Sequence, residues 1–108
     1  TKGMGIFYAH LYKAQAINDA QIVRFLSTMD ELVKAADAAQ STRETCCEVV
    51  ITTLQTLRAF KKGGITAAVE AFIDAELRPL WADEAAAATY SIPMRIQIRL
   101  EDLKDVFG

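Results

Sequence analysis

The longest regular run of apolar positions is Ile22, Phe25, Leu26, Met29, Leu32, Val33 and Ala36, stepping by three and four residues. That period predicts an amphipathic helix over 18–40, with Arg24, Asp30, Glu31, Lys34 and Asp37 on its wet face. Asn18 with Gln21 three residues later has the form of a capping box and marks the start. Asp30 and Lys34, four apart, add an ion pair worth about 0.3 kcal/mol.

Ahead of this stripe, residues 1–17 predict an aromatic N-terminal helix. Phe7 and Leu11, and Tyr8 and Tyr12, fall at helical spacing on two adjoining faces. Behind it, Ser41 and Glu44 repeat the capping-box pattern and open a helix over 42–62 that Gly63-Gly64 ends. Lys61 and Lys62 then complement its C-terminal dipole. Its apolar arc is broad: Cys46, Val49, Val50, Thr53, Leu57 and Phe60 on one side, Cys47, Ile51 and Leu54 on the next. Such an arc suits a central helix, or one covered partly by another chain. Thr66 starts a helix over 66–78 carrying Val69, Phe72, Ile73 and Leu77. Pro79 predicts a stop or kink, and Leu80, Trp81, Ala85 and Ala88 a further helix over 79–90 with the proline in its first turn. Ser91 and Pro93 close it.

The last segment changes period. Met94, Ile96, Ile98 and Leu100 alternate with Arg95, Gln97, Arg99 and Glu101, which predicts an extended strand over 94–100. A helical turn over 102–107 follows. No other segment alternates as well, so the strand lacks a mate in its own chain and would pair with a symmetry copy or a partner's sheet. The expected architecture is therefore all-α: one domain over 1–108, four to five helices in a compact bundle, a short C-terminal β segment, and a homodimer. Met94, Ile96, Ile98, Val50, Ile51 and Leu54 are the candidate dimer or strand-pairing residues.

Composition narrows the chemistry more than it suggests any. The 108 residues are 52% hydrophobic and 24% charged, with a net charge of −2. Disorder is excluded by that balance, and a general attraction for nucleic acid or acidic membranes is not expected. No apolar run reaches the roughly 20 residues needed to span a bilayer. Cys46 and Cys47 are the only cysteines, and as neighbours they form no disulfide framework. A reduced, cytoplasmic protein is the expectation.

His10 is the only histidine, and adjacent thiols on a helix point about 100° apart, so no metal-ligand pattern forms. Neither cysteine lies in a nucleophile elbow. Glu70, Asp74, Glu76, Asp83 and Glu84 make an acidic face with no Glu-x-x-His partners for a di-metal bundle. Gly63-Gly64 lacks the lysine and spacing of a phosphate loop. No catalytic, cofactor or metal residue is assigned.

The reading that remains is a non-enzymatic interaction module, a small regulator that binds and masks a protein partner. An antiactivator, inhibitor or adaptor, for example of a transcription factor, is its concrete form. Phe7, Tyr8, Leu11, Tyr12 and Trp81 are the candidate partner-binding residues, because aromatic anchors are enriched at hot spots. Two alternatives stand beside it. One is a DNA-binding regulator whose dimeric C-terminal ribbon, with Arg95, Gln97 and Arg99 on one face, would resemble the major-groove reader of ribbon–helix–helix repressors. Those repressors place two helices after the strand, and only a short turn is expected here. The other is a structural or assembly subunit.

Overall fold

The computed structural model describes residues 2–60, 65–82 and 84–107, leaving out the side chains of Lys2, Ala82 and Glu84. The Gly63-Gly64 stop, Lys61, Lys62, Asp83 and the side chain of Glu84 therefore lie outside the described residues. Within them the chain is all-helical, with no strand: α1 (Lys2–Lys13), α2 (Asp19–Lys34), α3 (Gln40–Ala59), α4 (Ala67–Phe72), a π-helical turn (Ile73–Leu77), α5 (Arg78–Ala82), α6 (Glu84–Thr89) and α7 (Met94–Phe107).

α3 is the central helix. α1, α2 and α7 all pack on it, which accounts for its broad apolar arc without a second subunit. Val50, Ile51 and Leu54, expected at a dimer contact, are in the monomer's own core at 2% exposure or less. α1 lies close on α3 because its facing residues are small. A Cβ placed on Gly5 would stand 2.5 Å from Thr53 Oγ1 and 2.9 Å from the Val49 carbonyl oxygen, and Ala9, one turn on, is fully buried.

The helix ends follow from local chemistry. Asn18 accepts from the Gln21 amide at 2.9 Å while Gln21 Oε1 accepts from the Asn18 amide at 2.8 Å, the reciprocal box expected from the sequence. α1 ends at Lys13, short of 17, in a Schellman turn: Gln15 has φ 63°, with bonds from the Gln15 amide to Tyr12 O and from the Ala16 amide to Leu11 O. α6 ends the same way at Ser91, φ 56°. The Ser41–Glu44 box does not form. Ala39 is the N-cap of α3 without a side-chain bond, and the Glu44 carboxylate is engaged by Gln40 and Arg95 instead. Buried Arg43 reaches back to the end of α2, donating to the Val33 carbonyl (2.9 Å), one of the last-turn carbonyls, and to that of Ala35 (2.7 Å), which also accepts from the Ala38 amide at 3.3 Å.

Pro79 neither stops nor breaks the chain's helical course. A proline cannot donate to the residue four before it and crowds that carbonyl. The π turn resolves this by adding a residue: the Arg78 amide bonds to Ile73 O, five residues back, and Pro79 falls in the first turn of α5, where no donor is needed.

The strand expected over 94–100 is a helix. Ile96 and Leu100 fit both a two-residue and a four-residue period, but Leu103 fits only the helix. Ile96, Leu100 and Leu103 are buried together, while Met94 and Ile98 are 67% and 54% exposed. Pro93 caps the start, its carbonyl accepting from the Ile96 and Gln97 amides. No strand edge is left to pair, so the intermolecular ribbon loses its basis.

Candidate functional site

The exposed apolar surface of α1 meets α2 along a groove. Tyr8 lies flat on Phe25, ring centroids 4.1 Å apart and planes within 10°, and Phe7 stands edge-on to Tyr8 at 6.1 Å. Beside this stack runs an open groove of about 500 Å³ lined by Tyr8, Leu11, Ile17, Gln21, Arg24, Phe25, Thr28 and Met29. Phe7, 60% exposed, presents its ring to solvent with Met4 and Ile6 on the same helix. Arg24 is the charged residue of the lining and has no ion-pair partner among the described residues.

Tyr12 is not part of that open surface. It is buried, and its hydroxyl donates to Asp19 Oδ1 at 2.5 Å and lies 2.7 Å from Thr66 Oγ1. Burial, then the bond to Asp19, raises its pKa, so the phenol stays neutral and ties α1 to the start of α2 and to the turn before α4. A second groove of about 710 Å³ lies beside it, and Ile17 lines both.

The other sequence-selected residues lie apart from this groove. Trp81 is half-buried on α5 over a cavity of about 40 Å³ shared with Gln97, Leu100 and Lys104, and its buried indole Nε1 has no hydrogen-bond partner among the described residues. Arg78 stands 6.0 Å from its ring centroid. Ile96 is core; Met94 and Ile98 lie on the outer face of α7. Arg95 and Arg99, the would-be base readers, face α3: Arg95 bonds to Glu44 and reaches Glu48 at 3.4 Å, and Arg99 lies 3.9 Å from Glu48. Their charge is largely met within the molecule.

Cys46 and Cys47 are both buried free thiols. Burial pushes Cys47 up to about 12, with the charges of Asp30 and Glu48 adding and Arg99 opposing, and burial raises Cys46 as well. Both are held as thiols near neutral pH, the reverse of what activates a nucleophile. Among the described residues no group of three His, Cys, Asp or Glu side chains gathers to hold a metal ion, and no helix is long and apolar enough to cross a membrane.

One charged cluster escaped the sequence reading. Asp30, expected on the wet face of α2, is 5% exposed. Lys34 Nζ contacts Asp30 Oδ2 at 3.0 Å, Glu76 Oε2 at 2.8 Å and the Glu76 carbonyl at 3.1 Å. The clue was present: Asp30 lies four residues after Leu26 and three before Val33, in phase with the buried stripe.

No protein-family model, no curated protein and no solved structure matches the chain.

Proposed function

We propose that the protein is a binding module that holds an amphipathic helix of a protein partner in the α1–α2 groove, masking that helix from other contacts. The observation that carries this is the groove itself, a channel of mixed apolar and polar lining beside an aromatic stack, with well-exposed Phe7 standing edge-on to Tyr8 of that stack. Helix-in-groove recognition uses apolar anchors at i, i+3, i+4 and i+7. Arg24 favours a helix whose flank carries an Asp or Glu beside those anchors. Covering the exposed 60% of Phe7 removes on the order of 120 Å² of apolar surface from water, worth about 3 kcal/mol or roughly 100-fold in affinity.

Selection of random 16-residue peptides on the immobilised protein tests this. Enriched sequences are expected to combine helical apolar anchors with a carboxylate, to bind Phe7→Ala at least tenfold more weakly, and to shift toward Lys when selected on Arg24→Glu. Peptides that bind both variants as they bind the wild type would refute the assignment. A homodimer through the exposed Met94 and Ile98 face of α7 is a separate reading, and sedimentation of Ile98→Glu against wild type decides it. The base-reading alternative has less to support it, since Arg95 and Arg99 are engaged by α3 carboxylates.

A further inference from the structure

We propose that Asp30, Lys34 and Glu76 form a proton-operated tie between α2 and the π turn. With Asp30 protonated, its carboxyl shares a hydrogen bond with the Glu76 carboxylate, Lys34 neutralises the pair, and the π turn is held on α2. With Asp30 ionised, two carboxylates face one ammonium, and the excess negative charge loosens the joint.

The geometry places Lys34 in direct contact with both carboxylates, at 3.0 Å from Asp30 and 2.8 Å from Glu76. Lys34 binds both the side chain and the main-chain carbonyl of Glu76, so the lysine grips the π turn itself. The Asp30 side chain is 7% exposed and Lys34 23%, so water screens their contact poorly, whereas Glu76, at 41%, is open to solvent on one side. Facing Asp30 are Lys34 from its own helix, Glu76 from the π turn and the Cys47 thiol from α3. Arg43 acts one turn further on, at the Val33 and Ala35 carbonyls. α1 and α4 also pack on α2, and among the described residues neither adds a charged group to those acting on Asp30.

Burial, then the bond to Glu76, raises Asp30 from 3.8 to about 6, against the pull of Lys34. Lys34 and then Asp30 hold Glu76 below its ordinary 4.5. Burial alone would lower Lys34, but its bonds to Glu76 and Asp30 outweigh that and keep it above 10.5. The stabilisation from Asp30 is thus complete below 3.8 and is lost as pH rises through about 6. That from Glu76 is lost only below 4.5, and that from Lys34 only above 10.5. Between pH 5 and 7 Asp30 is the member that changes. A midpoint near 6 corresponds to about a tenfold weaker closure of the joint at pH 7 than at pH 5.

Two measurements test the tie, and neither needs a partner, so their failure is distinct from failure of the groove assignment. In the wild type, the carbon-13 resonance of the Asp30 carboxyl should titrate near 6, and Glu76→Gln should move that midpoint toward the ordinary carboxylate range. Amide exchange over residues 73–82, corrected for intrinsic rates, should show about tenfold greater protection at pH 5 than at pH 7. Asp30→Asn should abolish that difference. A wild-type carboxyl midpoint near 3.8, or an unchanged pH difference in Asp30→Asn, overturns the proposal.

Discussion

Replacing Gly5 with alanine sets two opposed effects against each other at the α1–α3 contact. In an unobstructed helix interior, Gly→Ala stabilises by about 1 kcal/mol, because alanine loses less backbone entropy on folding. Here the new Cβ meets Thr53 Oγ1 at 2.5 Å, Val49 O at 2.9 Å and Thr53 N at 3.4 Å. Two of those atoms are main chain, which cannot swing aside. The third is a hydroxyl that donates to Val49 O at 2.7 Å in a fully buried side chain, so displacing it breaks a satisfied bond. Relief requires α1 to lift from α3, an overpacking cost of about 1–3 kcal/mol that exceeds the propensity gain over most of its range. We expect a net loss of about 1–2 kcal/mol, read as a lower urea midpoint with an unchanged slope and a fall in Tm of at least about 4 °C. Adding Thr53→Ala should restore only part of the loss, because the Val49 carbonyl contact stays. A Gly5→Ala protein as stable as wild type, or more so, would show that the helices are not this close and refute the reasoning.

Two further predictions concern helix ends. Gln15→Gly and Ser91→Gly should each stabilise by about 0.5–1 kcal/mol, since a left-handed φ costs a side chain more than it costs glycine; equal or lower Tm values would contradict the Schellman geometry at these positions. Arg43→Met keeps the aliphatic stem but leaves the Val33 carbonyl without its donor and the Ala35 carbonyl with only the Ala38 amide at 3.3 Å, so a loss of about 1–3 kcal/mol is expected in chemical denaturation; a change under 0.5 kcal/mol would show that water serves the Val33 carbonyl as well.

How far the sequence could be read depended on whether burial and period agreed. Along most of α2 they did, and the stripe from Ile22 to Val33 was legible with its capping box, although Leu32 is 37% exposed and the helix stops at Lys34, short of 40. Around Pro79 the missing donor was legible, but the remedy was not, because a π turn is set by how α4 and α5 must both reach the core. Over 94–100 period failed outright: Ile96 and Leu100 satisfy two periodicities, and only Leu103, beyond the alternating run, separates them. Charge misled at Asp30, where an acidic residue in phase with the core was assigned to water because Glu76, which meets Lys34 from the other side, lies 42 residues beyond that lysine in sequence. For the candidate site, Phe7, Tyr8 and Leu11 were found as a cluster. The groove needed the opposing face of α2, and Phe25 and Met29 had been read only as core. Tyr12 was placed on the wrong side because its polar tip finds Asp19 and Thr66 only in the folded chain.

The notch at Gly5 and the double hydrogen bond at Tyr12 fasten α1 near both of its ends, and the ring stack of Tyr8 on Phe25 fastens it between. A helix held at three points along its length has no hinge of its own. One wall of the groove is therefore rigid, and in the proposed helix-in-groove complex the loss of freedom on association would fall more on the incoming helix than on α1. Among related ligands, differences in affinity should then appear chiefly as differences in residence time, with similar rates of arrival.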